Sequence, residues 1–139
     1  MTVCLDTNIF LQIFGRRQPF YPILRALLSG RLTLAVSTAI LLEYEEVTAK
    51  LSGPERWQNI STLLEVLVQL HGNISFLEPQ FRFGVISADP DDNKFCDCAI
   101  AAAADFVVTE DHHFDALRSA GYKPVPVSPD EFIRLHLSG

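Results

Sequence analysis

The first strand of the sequence runs from apolar residues directly into polar ones, and this pattern limits the folds that the chain can adopt. Residues 3–5 are Val, Cys and Leu, and Asp6, Thr7 and Asn8 follow at once. A short apolar strand is typical of a buried parallel sheet, and open α/β sheets bind ligands at the carboxyl ends of their strands. We therefore expect Asp6 to face a functional crevice.

Helices and strands alternate along the rest of the sequence. Further strands are predicted at residues 32–36, 74–77, 106–109 and 124–127. Helices are predicted at residues 9–14, 22–28, 37–51, 54–70, 89–104 and 115–120 and after residue 128, and a loop is predicted at residues 80–88. Strands separated by helices favour a mostly parallel sheet with helices on both faces. The 139 residues suit one domain, residues 1–139, with a single core.

The helix after the second strand carries a carboxylate on its apolar side. Ile40, Tyr44, Val47 and Leu51 form a stripe at helical spacing, and Glu43 lies three residues after Ile40 and four before Val47. A carboxylate that faces a core is costly unless it is paired or binds a metal. Glu43 is therefore a candidate functional residue, although a structural role is the commoner one for such an acid taken alone.

Two further acids occupy comparable positions. Asp92 lies in the first turn of a predicted helix, on the face of its apolar residues, and Asp111 follows a strand as Asp6 does. Helix capping and turn formation would each explain one of these acids in isolation. His112 and His113 come next, but adjacent side chains diverge, so we do not expect the pair to bind a metal.

Four carboxylates in one crevice require positive charge. Asp6, Glu43, Asp92 and Asp111 could not all remain ionised together without cations. Oxygen ligands suit Mg²⁺ or Mn²⁺, and such ions can bind phosphate oxygens and activate a water molecule. The sequence therefore predicts a divalent metal site at the strand ends.

Four segments carry a resemblance to a known family. They are Leu-Asp-Thr-Asn at residues 5–8, the helix start at residues 37–44, Asp-Pro-Asp-Asp-Asn-Lys-Phe and its continuation at residues 89–99, and Val-Thr-Glu-Asp at residues 108–111. In this order they resemble the PIN-domain nucleases, and within them the VapC-like toxins of toxin-antitoxin systems. The resemblance implies a three-layer α/β/α fold with a mostly parallel, five-stranded sheet.

The same resemblance implies an activity and its residues. The activity is metal-dependent hydrolysis of RNA by an endoribonuclease, with Mg²⁺ or Mn²⁺ as cofactor. The implied metal ligands are Asp6, Glu43, Asp92, Asp97 and Asp111. Asn8 and Thr109 are the implied supporting polar groups. An antitoxin protein and a homodimer are the implied partners. The alternatives are a PIN-like module that binds RNA or protein without cutting, and a nuclease directed at DNA.

Helix geometry separates two of these acids, between which the resemblance does not decide. Asp92 and Asp97 are five residues apart, which rotates one by about 140° from the other and moves it about 7.5 Å along a helix. Asp92 lies at the amino-terminal end, where the strand ends converge. We therefore predict that Asp92 binds the metal directly and that Asp97 acts at the rim of the crevice.

The net charge and the hydropathy of the chain limit the partners that it can bind. The net charge is −6, so attraction to nucleic acid must be local rather than general. Arg16, Arg17 and Lys94 are the candidate contacts with RNA phosphates, since they lie near the acidic motifs in sequence. The chain has neither a signal-peptide pattern nor an apolar run long enough for a membrane, which favours a cytoplasmic location.

Overall fold

Five parallel strands form the centre of the structure. The computed structural model describes residues 1–87 and 89–138, so residue 88 of the predicted loop and the terminal residue 139 lie outside it. The strands are β1 (Thr2–Leu5), β2 (Thr33–Val36), β3 (Ile74–Phe76), β4 (Phe106–Val108) and β5 (Val125–Val127). Their order in the sheet is β3-β2-β1-β4-β5, and all four neighbouring pairs are parallel. The predicted five-stranded α/β architecture is confirmed.

Helices connect the strands. They are α1 (Thr7–Phe10), α2 (Tyr21–Leu28), α3 (Thr38–Ser52), α4 (Pro54–His71), α5 (Asn93–Ala101), α6 (Ala116–Ser119) and α7 (Pro129–Phe132). Short 3₁₀ turns at Pro90–Asp92 and His112–Asp115 precede α5 and α6, and a π-helical segment, Ile133–Leu137, follows α7. In the described part of the chain, no helix combines the length and the apolar character that a bilayer span requires.

Local signals in the sequence set several of these boundaries. The Ser37 side chain accepts a hydrogen bond from the Ile40 N–H and so caps α3 at its beginning. Gly53 has a φ of 88°, which lets the chain turn directly from α3 into α4. Pro54 then occupies the first turn of α4, where its missing N–H costs nothing.

The central strand is packed on both faces and anchors α3. The three apolar side chains of β1, at residues 3–5, are fully buried. Tyr44 of α3 is also fully buried, stacks on Phe10 with 3.7 Å between ring centroids, and donates its hydroxyl to the Leu5 carbonyl. Glu43 precedes Tyr44 in α3, so this packing fixes the position of Glu43 relative to the end of β1.

The structure corrects the predicted limits of two helices. The first helix begins at Thr7 rather than residue 9, because the Asp6 carboxylate accepts from the Thr7 N–H and caps the helix there. The helix predicted at residues 89–104 starts as a 3₁₀ turn and ends at Ala101. Ala103 has a φ of 51°, which an α-helix cannot continue.

The predicted apolar stripe of α3 is wrong at its last position. Ile40, Tyr44 and Thr48 are the buried residues of α3, whereas Leu51 is 70% exposed. A helix of 15 residues is about 22 Å long, but the four-residue strand β2 before it spans only about 13 Å. The last turn of α3 therefore extends past the sheet.

Candidate active site

The Asp6 carboxylate lies where the neighbouring strands β1 and β4 end. One oxygen, Oδ1, accepts from the Thr7 N–H at 2.8 Å, and Oδ2 accepts from the Thr109 hydroxyl at 2.8 Å. The Asp6 N–H donates to the Val108 carbonyl at 3.1 Å, so the parallel pairing of β1 and β4 continues to this point. Parallel pairing thus brings residues 103 positions apart into one site.

Burial makes the charge of Asp6 costly. Only 8% of this residue is exposed, and burial raises the pKa of its carboxyl group above the ordinary value. The hydrogen bonds from Thr109 and Thr7 lower the pKa, while the nearby carboxylates of Asp111 and Glu43 raise it again. Asp6 therefore shares an electrostatic environment with two of the other predicted acids.

Glu43 reaches the same site from α3. Its Oε2 accepts a hydrogen bond from the hydroxyl group of Thr7, which directly follows Asp6 in the sequence. Its Oε1 lies 2.7 Å from the ammonium nitrogen of Lys94 at the start of α5. One lysine therefore already lies against this carboxylate, and α1, α3 and α5 meet at Glu43.

Asp111 extends the cluster beyond β4. Its N–H donates to the Thr109 hydroxyl at 3.0 Å, and its Oδ1 accepts from the His113 N–H at 2.9 Å, which caps the 3₁₀ turn. The Thr109 hydroxyl thus accepts from Asp111 and donates to Asp6. This arrangement explains why a turn-forming acid also lies near the end of β1.

Asp92 carries an unpartnered buried oxygen. Among the described residues, no donor hydrogen-bonds its Oδ2, which is shielded from solvent. Burial raises the pKa of the Asp92 carboxyl group to about 6, and the charges of Asp89, Asp111 and Asp6 add to this increase. Potential ligand atoms of Asp89, Asp92 and His113 also lie within 4.8 Å of one another.

These features fit a divalent cation. Burial and nearby carboxylates raise the pKa values of Asp6 and Asp92, and one buried oxygen of Asp92 has no donor among the described residues. A cation would satisfy that oxygen and offset the repulsion. Carboxylate oxygens are ligands that Mg²⁺ and Mn²⁺ prefer.

Comparison with known proteins identifies the family. The sequence model of the PIN domain matches residues 2–113, which include every acid of the cluster. The chain belongs to the PIN-domain family. The resemblance to the PIN-domain family drawn from the four sequence segments is therefore confirmed. No curated protein sequence matches the chain.

Three solved structures share the fold of this PIN domain. VapBC2 from Rickettsia felis, bound to a DNA fragment from its promoter, has a TM-score of 0.59 and 22% identity, over 91% of this chain and 98% of that chain. FitAB bound to an IR36 DNA fragment has a TM-score of 0.56 and 16% identity, over 89% and 94%. FitAcB from Neisseria gonorrhoeae has a TM-score of 0.55 and 19% identity, over 91% and 97%. At these identities the likeness shows the fold.

Asp97 occupies a different place in the PIN domain from Asp92. It is only 9% exposed, and its Oδ1 accepts from the Phe83 N–H at 3.0 Å. It also lines a groove together with Lys94. Asp92 ends the 3₁₀ turn before α5 and lies near the charge of Asp111, whereas Asp97 lies within α5 and contacts the segment before it.

The other predicted residues lie at the edge of the cluster or away from it. Asn8 is exposed, and its carbonyl accepts from the Gln12 side chain. Arg16 and Arg17 are exposed, and neither forms an ion pair or a side-chain hydrogen bond within the described residues. Lys94 contacts Glu43, which makes it the predicted basic residue that the structure brings to the acids.

Sequence analysis missed three contributors to the site. Thr7 donates to Glu43, but the direction of a threonine hydroxyl cannot be derived from its place in a sequence. Asp89 begins the segment at residues 89–99, but nothing in that segment distinguishes it from the acids that follow. The two histidines do diverge, and for that reason one faces the cluster: His113 Nδ1 lies 3.5 Å from Asp111 Oδ1 and 3.8 Å from Asp92 Oδ2, whereas the His112 side chain is 97% exposed.

Proposed function

We propose that this PIN domain is a metal-dependent endoribonuclease that hydrolyses phosphodiester bonds of RNA. The observation that carries the proposal is the partly buried carboxylate cluster, in which Asp92 keeps a buried oxygen without a donor among the described residues. The residues proposed to hold Mg²⁺ or Mn²⁺ are Asp6, Glu43, Asp92 and Asp111. A bound cation would supply positive charge to phosphate oxygens and lower the pKa of an attacking water.

The residues of the chain orient these acids. Thr109 and the Thr7 N–H hold the two oxygens of Asp6, which leaves the carboxylate fixed in one rotamer before any ligand arrives. The Thr7 hydroxyl holds Glu43 at the same edge. Such fixed geometry is the contribution that a protein makes to a metal-assisted reaction, because reorganisation does not have to occur during the chemical step.

Lys94 has two possible partners in a working enzyme. In the structure its ammonium group pairs with Glu43 and donates to the Asp91 carbonyl at 2.9 Å. A cation held by Glu43 would weaken the attraction between Lys94 and that carboxylate, and the ammonium group of Lys94 could then bind an RNA phosphate. Arg16 and Arg17 are proposed as more distant phosphate contacts.

We further propose that the chain is the toxin of a toxin-antitoxin pair. The resemblance to VapC-like proteins supports this, as does the shared fold with VapBC2 and FitAB, complexes that were solved with DNA fragments. The expected partners are an antitoxin protein, which would cover the acidic cluster, and a second copy of the chain in a homodimer.

One experiment tests the nuclease assignment. Purified protein is incubated with single-stranded RNA or DNA of the same sequence, with Mn²⁺, Mg²⁺ or EDTA. We expect RNA cleavage that requires the metal and that disappears in the Asp6→Asn variant. Preferential cleavage of DNA would favour a DNA-directed nuclease, and RNA binding without cleavage under every metal condition would favour a non-catalytic module.

A further inference from the structure

A groove adjoins the acidic cluster. Its volume is about 590 Å³, and its walls include Lys94 and Asp97 of α5 and Phe81 and Arg82 from the segment between β3 and α5. Because Lys94 also contacts Glu43, one wall of the groove borders the carboxylates. A polymer held at the cluster could therefore continue into this groove.

Phe81 and Arg82, the first two residues of an aromatic, basic, aromatic sequence, line the groove. Phe81 is 71% exposed, and its ring centroid lies 6.3 Å from that of Phe83, which in turn contacts Tyr122 edge to face at 5.2 Å. Arg82 is exposed and forms no ion pair within the described residues. A single exposed aromatic residue is ordinary, but a ring that lines a groove beside an unpaired cation is the combination used to bind nucleic-acid bases.

Hydrogen bonds fasten this segment to α5. The buried Asp97 carboxylate accepts from the Phe83 N–H at 3.0 Å. The Asn93 side chain accepts from the Ile86 N–H and donates to the Ile86 carbonyl, both at 2.8 Å. The groove wall that carries Phe81 is thus attached to α5 at Phe83 and Ile86, and a ligand need not order these two positions on binding.

Arg82 is a cation of the groove that forms no ion pair within the described residues. Two of the three acids of the groove already accept hydrogen bonds from the chain: Asp97 from Phe83, and Glu78 from the N–H and hydroxyl of Thr38. Both hydrogen bonds from Thr38 reach Oε1 of Glu78, and they lower the pKa of its carboxyl group. The groove is lined by three acids and two bases, so the binding of a phosphate would depend on the guanidinium group of Arg82 rather than on a general positive charge.

We propose that this groove binds an unpaired nucleotide of RNA next to the scissile bond, with a base stacked on Phe81 and a neighbouring phosphate at Arg82. The inference rests on the proposed ribonuclease function and specifies its substrate as single-stranded. Stacking needs an exposed base face, which every base offers when unpaired and which a duplex conceals. The groove would thus select against double-stranded RNA without reading a particular sequence.

Binding measurements on Phe81 variants test the proposal. The affinity for a fluorescently labelled, short single-stranded RNA is measured by anisotropy in EDTA, where no cleavage is expected. Phe81→Ala and Phe81→Leu should each weaken binding roughly 5- to 150-fold, and Phe81→Trp should retain it. Phe76→Ala is the matched control, because Phe76 is a 57% exposed phenylalanine on β3 that does not line the groove. Thermal unfolding should be the same for all variants at exposed position 81.

A spectroscopic readout separates stacking from simple apolar contact. Trp57 is the single tryptophan of the chain, so Phe81→Trp combined with Trp57→Phe places one fluorophore in the groove. Single-stranded RNA should quench its emission, whereas duplex RNA of the same sequence should leave it largely unchanged.

Three outcomes overturn the proposal. Unchanged affinity of Phe81→Ala, with metal-dependent cleavage intact, would remove the base site and leave the ribonuclease function standing. An equal loss of affinity for single-stranded and duplex RNA in Phe81→Ala would exclude stacking. If Phe81→Ala lost the binding of a protein partner without any loss of RNA affinity, the groove would be a protein-docking site. If the wild-type protein neither binds nor cleaves RNA, the proposed function itself fails.

Discussion

The substitution Asp92→Asn should stabilise the metal-free protein at neutral pH while weakening its binding of Mn²⁺. Burial and the nearby acids raise the pKa of the Asp92 carboxyl group from 3.8 to about 6. The folded protein therefore holds this proton more tightly than the unfolded chain. The stability that comes from the protonated group is complete below about pH 4 and is lost as the pH rises through about 6.

The magnitude follows from the size of the pKa shift. A shift of about two units corresponds to at most about 3 kcal/mol. Because 17% of the side chain remains exposed to solvent, we expect screening to reduce the effect to roughly 1–2 kcal/mol. For a chain of this length that amounts to a rise in Tm of roughly 4–8 °C near pH 7.5, with little difference from the wild type near pH 4.

Asp97→Asn is the matched control on the same helix. Its Oδ1 accepts from the Phe83 N–H, and an amide oxygen can accept that bond as well, so the Tm should change little. Thermal unfolding in EDTA from pH 4 to pH 8 and calorimetric titration with Mn²⁺ are performed on both variants. Asp92→Asn should lose most Mn²⁺ affinity, whereas Asp97→Asn should keep measurable binding and cleave RNA more slowly.

Two results would refute this reasoning. A lower Tm for Asp92→Asn at neutral pH would mean that the carboxylate stabilises the metal-free fold. Loss of Mn²⁺ binding in Asp97→Asn, with binding retained in Asp92→Asn, would reverse the roles of the two acids.

Three further predictions concern the proposed reaction. Asp6→Asn should abolish cleavage and should not lower the Tm of the metal-free protein, because it removes a buried charge and keeps the shape; full Mn²⁺-dependent activity in this variant would contradict the assignment. Thr109→Val should move the acidic limb of the pH–rate profile to higher pH, because the Thr109 hydroxyl lowers the pKa of Asp6. Thr109→Ser keeps the hydroxyl and should leave the profile unchanged. Cleavage by in-line attack of water should give 5′-phosphate and 3′-hydroxyl ends, and mass spectrometry that finds mainly 2′,3′-cyclic phosphate would indicate attack by the RNA 2′-hydroxyl instead.

The sequence was sufficient for the sheet because strand and helix signals are local. Apolar runs, the Ser37 cap and the Gly53-Pro54 break each act within a few residues, and the order of alternating elements then restricts the topology. Sequence analysis placed the end of α5 three residues too late, because Ala103 adopts a left-handed backbone conformation that alanine rarely favours. No residue type typical of a left-handed turn stands at position 103 to indicate the end of the helix.

The acidic residues of the site were also accessible from sequence, but their partners were not. Asp6 and Asp111 follow strands, so their approach depends only on which strands are neighbours. The contact of Lys94 with Glu43 depends on the orientation of two long side chains on different helices. The contact of His113 with Asp111 depends on a short 3₁₀ turn. Neither has a periodicity from which it could be predicted.

The pairing of β1 with β4 links the appearance of the site to the last stages of folding. The strands adjoin in the sheet, yet Asp6 and Thr109 are 103 residues apart, and contacts over such distances form slowly because a long loop must close first. A chain that has paired only β1, β2 and β3 already has most of its core helices but lacks Thr109 and Asp111. Such an intermediate has Asp6 and Glu43 without the rest of the cluster, so the ability to hold a cation arises together with the completed fold.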